Sequence, residues 1–170
     1  ALYETLRIKA LEQLDGDRED SAGARHLRVL AELMKLRRAA CHPKLVLPES
    51  KLSGAKLETL VEIVTDLTDG GHKALVFSQF VDHLSVIRER LDALGVTYQY
   101  LDGSTPMKAR QERVKAFQSG EGDLFLISLK AGGLGLNLTA ADYVIHMDPW
   151  WNPAVEDQGS DRTHRIGQTR

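Results

Sequence analysis

Near its end the chain places an amide and two guanidiniums at helical spacing. Gln158, Arg162 and Arg165 stand at i, i+4 and i+7, so on a helix they project from one face. Such a group makes a poor core and a good anion clamp, because each guanidinium is a rigid fork of donors matched to oxyanions. A surface salt-bridge network with Glu156, Asp157 and Asp161 fits the same spacing, and spacing alone leaves both readings open. A second candidate is Ser128-Leu-Lys-Ala-Gly-Gly-Leu-Gly-Leu-Asn137, which sets three glycines at a strand-to-helix turn. Glycine there allows positive φ and lets an anion reach backbone N–H groups, though simple turn geometry explains it equally well. The stretch is not a Gly-x-x-x-x-Gly-Lys-[Ser/Thr] loop, and none occurs anywhere in the chain. No Asp-Glu pair follows an apolar strand either, so both usual holders of nucleotide and metal are absent.

Other polar residues carry weaker signals. Asp148-Pro-Trp-Trp-Asn-Pro153 puts two tryptophans in a short connection, where burial and exposure beside a groove are both open. His146 is expected to pack within its strand, and His164 falls on a face away from the arginines, so neither receives a catalytic task. Cys41-His42 has no second cluster at metal-ligand spacing; a buried thiol near a helix end is expected and no metal site is assigned.

Bulk properties bound the function. A chain of 170 residues that is 42% hydrophobic suffices for one α/β core with attached helices. A net charge of −2 excludes a wholly basic nucleic-acid binder but not a local basic face. One cysteine excludes an internal disulfide framework and fits a reducing compartment. No apolar run is long enough for a membrane span, and no signal peptide is visible, so an intracellular location is expected: the nucleus in a eukaryote, cytoplasm or nucleoid in a prokaryote. Starting on Ala1 and stopping just past a motif, the chain reads as a piece of a longer protein.

The elements that must position these residues follow from periodicity. Residues 1–52 predict a helical extension: a stripe of Leu2, Leu6, Leu11 and Leu14, a break over 15–23, then a basic helix over about 24–40 with Leu27, Leu30, Leu33 and Met34 on one face. Its Arg25, Arg28, Lys35, Arg37 and Arg38, with Lys44 just after, predict either a solvated face or a surface near phosphates or a partner lobe. Pro43 and Pro48 end it. From 53 onward helix and strand alternate. Leu57, Leu60, Val61, Val64 and Leu67 mark a helix stopped by Gly70-Gly71. Strands are predicted at 73–77, 97–101, 124–128 and 143–147, and helices at 81–94, 107–118 and 153–166. Short, continuous apolar strands separated by helices imply a doubly wound α/β domain with a mainly parallel sheet. Ligands then belong beyond the carboxyl ends of the strands, where Ser78-Gln79, Asp102–Thr105, Ser128–Asn137 and Asp148–Asn152 gather.

Taken in order, these segments resemble the RecA-like C-terminal motor lobe of Swi/Snf-type ATPases in helicase superfamily two. The resemblance covers nearly the whole chain: Leu36-Arg-Arg-Ala-Ala-Cys-His-Pro43, Gly54-Ala-Lys56-Leu57, Lys73-Ala-Leu-Val-Phe-Ser-Gln-Phe80, Leu101-Asp-Gly-Ser-Thr105 with Arg110, Leu126 to Leu138, Asp148 to Pro153, and Asp161-Arg-Thr-His-Arg-Ile-Gly-Gln168. Any one motif could mislead; the ordered set is specific.

The resemblance implies roles. Arg162 and Arg165 match arginine fingers that complete an ATP site between two lobes, with Gln158 near the γ-phosphate. Gly135 and Asn137 match positions facing the nucleotide. Ser128, Lys130 and Thr105 match contacts to the phosphates of a tracked DNA strand, Ser78 and Gln79 fall in another strand-contacting motif, and Trp151 is DNA-proximal. ATP with Mg²⁺ would be held mainly by the N-terminal lobe of the same protein. The implied partners are that lobe, a duplex DNA backbone and a DNA-bound protein target, with no membrane. The chain alone is expected to be inactive. Gly159 departs from the family's small helix-former and costs about 1 kcal/mol in a helix interior. Residues 53–170 are expected to form the lobe, cut short after the arginine motif, with 1–52 as a protrusion leading into it. A protein-docking module without motor function and an RNA-helicase lobe are the other readings; the Trp-Trp-Asn-Pro and Asp-Arg-x-His-Arg-Ile-Gly-Gln patterns favour DNA translocation.

Overall fold

Ala74-Leu-Val-Phe-Ser78 and Leu124-Phe-Leu-Ile-Ser128 are apolar at every position up to a terminal serine, the pattern of strands covered on both faces. In the computed structural model, which describes residues 2–16, 21–132, 136 and 138–149, both are buried along their whole length. They form β1 (Ala74–Ser78) and β3 (Leu124–Ser128) of a four-stranded sheet. β2 (Tyr98–Leu101) lies outside β3, and β4 (Tyr143–His146) lies on the other side of β1. Every pairing is parallel, in the order β2-β3-β1-β4. The register sets Ser78 beside Ser128 at the carboxyl edge.

The helices follow the expected stripes. α4 (Val81–Leu94) buries Leu84, Ile87 and Leu91 and packs on β1 and β3. It ends at Gly95, whose φ of 71° is the left-handed cap that favours glycine. α5 (Met107–Gln118) follows β2 and buries Phe117. Phe117 joins Leu75, Phe77, Leu101, Phe125 and Ile127 in one cluster, together with Leu129, Ala131, Leu138 and Ala141 from the β3–β4 connection. One face of the sheet is thus covered by α5 and that connection, and right-handed crossovers put α4 on the other. A short helix, α6 (Leu129–Gly132), opens the β3–β4 connection. His146 lies opposite Phe77 in the register and stacks on its ring at 5.4 Å.

Strand ends differ from expectation by a residue, for a local reason. Lys73 donates its N–H to Asp142 Oδ2 and its Nζ to the carbonyls of Gly120 and Gly122, and its own carbonyl accepts Asp142 and Tyr143 N–H, so it ties two turns to the foot of the sheet. β1 therefore starts at Ala74 and runs on to Ser78, which keeps its pairing with Ser128.

The chain divides into two units, residues 1–57 and 58–170, the boundary falling in the first turn of α3 (Ala55–Asp69). In the second unit α3 buries Leu60 and Val64. In the first unit α1 (Leu2–Gly16) and α2 (Ala22–Cys41) pack on each other. α2 starts earlier than its periodicity implies because Ser21 Oγ caps Ala24 N–H. Its expected apolar face is open: Leu27 is 70% exposed and Leu30 56%. Arg38, one of its basic residues, is structural, donating Nε and Nη2 to Leu45 O across the turn. His42 is buried, and its Nδ1 accepts Lys44 N–H to cap the 3-10 turn Pro43–Leu45. A Cβ on Gly54 would stand 2.3 Å from the His42 ring, so the glycine of Gly54-Ala-Lys56-Leu57 is required by packing. Among the described residues no helix is long and apolar enough to cross a membrane.

Phe125 is fully buried, with its ring 5.3 Å from Phe117. Phe125→Ala should destabilise the chain by about 3–5 kcal/mol, read as a lower urea midpoint with an unchanged slope.

Candidate functional site

In a parallel sheet, adjacent strands whose connections leave for opposite faces part at their carboxyl ends and open a crevice. Here those strands are β1, which continues into α4, and β3, which continues into α6. A cleft of about 280 Å³ opens there, lined by Gln79 and Val81 after β1, Asp102, Gly103 and Ser104 after β2, and Ser128 and Lys130 at β3. It is smaller than most sites that engulf a whole ligand.

Of the residues the sequence singled out, Gln79, Ser128 and Lys130 line this cleft together. Ser128 is 2% exposed, and its Oγ has no hydrogen-bond partner among the described residues, so a buried hydroxyl is left to be satisfied at the cleft. Lys130 is exposed on the first turn of α6 and is the only cation among the described lining residues. Val81 begins α4, whose N-cap Phe80 offers no side-chain cap, so the positive end of that helix contributes to the same edge.

Ser78 and Thr105 are placed otherwise. Ser78 is fully buried: its Oγ donates to Asp148 Oδ1 at 2.6 Å and accepts Phe80 N–H at 3.1 Å. Thr105 is also buried, and its Oγ1 accepts Asp102 N–H at 3.1 Å. Both hydroxyls shape loops next to the cleft. Gly135, Asn137, Trp151, Gln158, Arg162 and Arg165 lie outside the described residues, as does the helix expected over 153–166.

The loop after β2 is held as a knot. Asp102 Oδ1 accepts from Ser104 N–H at 2.8 Å and Ser104 Oγ at 2.6 Å, while Oδ2 accepts from Tyr100 OH at 2.7 Å. Beneath it Arg110, 7% exposed, donates Nε to Thr105 O at 2.7 Å and Nη2 to Asp102 O and Gly103 O at 3.0 and 3.3 Å. Three carbonyls are thereby turned toward the buried guanidinium. These donors, the Ser104 hydroxyl first and the Tyr100 hydroxyl next, hold the Asp102 carboxyl at about 2, against an ordinary 3.8. Tyr100 moves the opposite way, pushed up to about 12 by burial and by its bond to Asp102. Sequence reasoning placed Asp102–Thr105 at this edge but singled out Thr105 alone as a contact, whereas Asp102 and Ser104 are the side chains that line the cleft. The signal was present, since Asp followed two residues later by Ser is an Asx-turn pattern.

Asp148 closes the other side of the β1 loop. Its Oδ1 accepts from Ser78, its Oδ2 accepts Gln79 N–H at 3.0 Å, and His83 Nδ1 stands 3.9 Å from Oδ1, too far for a direct bond. Burial pushes its carboxyl up, and His83, Ser78 and Gln79 outweigh that and hold it below the ordinary value. The three side chains do not form a nucleophilic triad. There the histidine must lie between serine and carboxylate, whereas here the carboxylate lies between the other two and all are buried.

Because the Asp102 carboxyl is held low, its contribution to stability is complete above pH 3.8 and disappears as pH falls through about 2. Asp102→Asn should cost about 1 kcal/mol at pH 7 once solvent screening is allowed for. In urea titrations at several pH values, that difference should shrink steadily below pH 3.8.

The family model of the helicase conserved C-terminal domain matches residues 55–167. The putative ATP-dependent helicase/translocase YwqA of Bacillus subtilis is 42% identical over 84% of this chain and 16% of its own length. The chromatin-remodeling ATPase INO80 of Candida albicans is 46% identical over 68% of this chain and 8% of its own length. The chain thus spans about a sixth or less of these relatives. Among solved structures, the Sulfolobus solfataricus SWI2/SNF2 ATPase core in complex with dsDNA superposes with a TM-score of 0.81 at 32% identity, covering 99% of this chain and 36% of that one. A parallel sheet in this strand order, with its cleft at the β1/β3 switch point and its motifs in sequence, belongs to the helicase C-terminal domain family, and the chain is the RecA-like C-terminal lobe of a Swi2/Snf2-type ATPase.

Proposed function

We propose that this lobe is the second motor lobe of an ATP-dependent double-stranded DNA translocase or remodeller, and that the β1/β3 cleft grips a backbone phosphate of the tracked strand. The observation that carries this reading is the pairing of Lys130 with the unsatisfied, buried hydroxyl of Ser128 at the switch point. A phosphate brings acceptor oxygens for both, and the α4 N-terminus adds to the attraction. The Gln79 side-chain amide adds a neutral donor beside them, while Ser104, whose N–H and hydroxyl both go to Asp102, and Ser78 and Thr105 act by placing the two loops. Asp102 stays ionised, but its oxygens are occupied by Tyr100, Ser104 and Thr105, and the buried Arg110 guanidinium beneath the same loop offsets its charge. None of these groups reads a base, so binding would be independent of sequence.

The ATP half of the reading rests on the tail. Arg162 and Arg165 would enter an ATP site completed by the N-terminal lobe, with Gln158 near the γ-phosphate, Gly135 and Asn137 facing the nucleotide and Trp151 near DNA. ATP with Mg²⁺ would be held chiefly by that other lobe, since this chain has neither a Gly-x-x-x-x-Gly-Lys loop nor an Asp-Glu element. The lobe alone would hydrolyse no ATP. Closure of two lobes on duplex DNA with ATP between them, followed by reopening after hydrolysis, would step the motor along one strand. The names of the relatives, an ATP-dependent helicase/translocase and a chromatin-remodeling ATPase, support a motor over a docking module. A location inside the cell, where DNA is, goes with it.

Two measurements on the full-length protein test these halves. Arg165→Ala should lower DNA-stimulated ATP turnover by about 10³–10⁵, as removal of an arginine finger does; turnover indifferent to both DNA and Arg165 would sink the assignment. Lys130→Ala should weaken binding to all duplex sequences alike and flatten the log K against log salt slope by about 1. An unchanged slope would remove Lys130 from the phosphate contact.

A further inference from the structure

Asp148 gathers two donors of the β1–α4 segment just past the end of β4. Ser78 Oγ and Gln79 N–H both donate to its carboxylate, and the Gln79 side-chain Nε2 reaches Pro149 O at 3.4 Å. Met147 N–H donates to Phe77 O at 2.9 Å and completes the seam between the two strand ends. The carboxylate is 3% exposed. Burying a charge is costly unless it is well bonded, so a carboxylate kept here must do what a neutral side chain cannot. Its two oxygens accept at once from a hydroxyl and a backbone N–H. An asparagine that met Gln79 N–H with its carbonyl would turn its NH₂ toward Ser78 Oγ, and the buried Ser78 hydroxyl would lose the acceptor it now donates to.

The position of the seam in the chain gives it meaning. On one side it fixes Gln79, which lines the cleft. On the other, Asp148 opens the Asp148-Pro-Trp-Trp-Asn-Pro153 connection, ten residues before Gln158 in sequence. We propose that Asp148 is a positioning residue that couples the cleft-lining β1–α4 loop to the segment leading to the arginine motif, so that engagement of DNA at Gln79 is felt at the ATP site. This rests on the motor reading above and names the joint through which its two halves communicate. A stitch of this kind transmits because both partners are bonded to one group, so the loop cannot shift without drawing on the strand end that leads to the arginines.

The test uses the full-length protein with Asp148→Asn and, separately, Ser78→Ala. Three quantities are read: ATP turnover without DNA, turnover at saturating duplex DNA, and duplex affinity by fluorescence anisotropy without nucleotide. Coupling predicts that Asp148→Asn lowers the DNA-stimulation ratio by about tenfold. Basal turnover and duplex Kd should then stay within about threefold of wild type. A purely structural stitch would lower basal and stimulated turnover by the same factor, and that outcome overturns the proposal, as does an unchanged ratio. If Asp148→Asn fails to fold, Ser78→Ala decides. It deletes one donor and keeps the Gln79 N–H bond, so a smaller loss of the ratio supports coupling and an intact ratio ends it. Wild-type protein that shows no stimulation by DNA removes the motor reading itself, whereas stimulated wild type with an intact ratio in the variants removes only the role of Asp148.

Discussion

The parallel register of β1 with β3 is the constraint on which the rest of the lobe depends. Parallel pairing sends both strands out at the same edge, and their connections depart for opposite faces, so the edge between them cannot be filled by either connection. Whatever stands at the last paired position is then presented to a crevice. Here that position is Ser78 beside Ser128. Two identical hydroxyls meet different fates only because of their neighbours. Ser78 has β4 on its far side and finds Asp148, while Ser128 has β2 there and is left with its Oγ unsatisfied at the cleft.

Both loops that flank the cleft are stiffened by groups taken out of solvent. Arg110 collects three carbonyls beneath the Asp102–Thr105 loop, and Asp102 gathers the hydroxyls and N–H groups above it. The β1 loop is held in the complementary way, by a buried carboxylate collecting donors. One loop is organised around a cation and the other around an anion. Each charge is bonded to backbone or hydroxyl groups, and Lys130 is the one cation among the described lining residues. Preorganised donors of this kind lose little on meeting an anion, because the loops need not reorder to bind it.

The first unit shows where periodicity misleads. Leu27, Leu30, Leu33 and Met34 repeat as a buried stripe should, yet all four are exposed on α2. Periodicity reports that a face is apolar, not what covers it, and the covering partner is a property of tertiary or quaternary packing. Likewise the basic run of the same helix is not of one kind: Arg38 serves a turn of its own unit by donating to Leu45 O.

Much of the lobe was legible from sequence for a physical reason. Strands covered on both faces must be continuously apolar, helices between them must carry a 3.6-residue stripe, and turns need their glycines, so β3, α4 and α5 fall at the residues their patterns indicate. Parallel order then predicts that polar residues at strand ends share one edge, where Gln79, Ser128 and Lys130 line the cleft; only the family resemblance singles these residues out as contacts. Sequence alone could not divide those strand-end residues into the ones that face the cleft and the ones that build it. Ser78 and Thr105 are polar, adjacent to the edge and yet turned inward, because Asp148, 70 residues away, and Asp102, three residues away, offer closer partners than solvent does. That choice is made by contacts across the sheet and within a folded loop. It depends on which strands lie side by side, an order that only the tertiary structure decides.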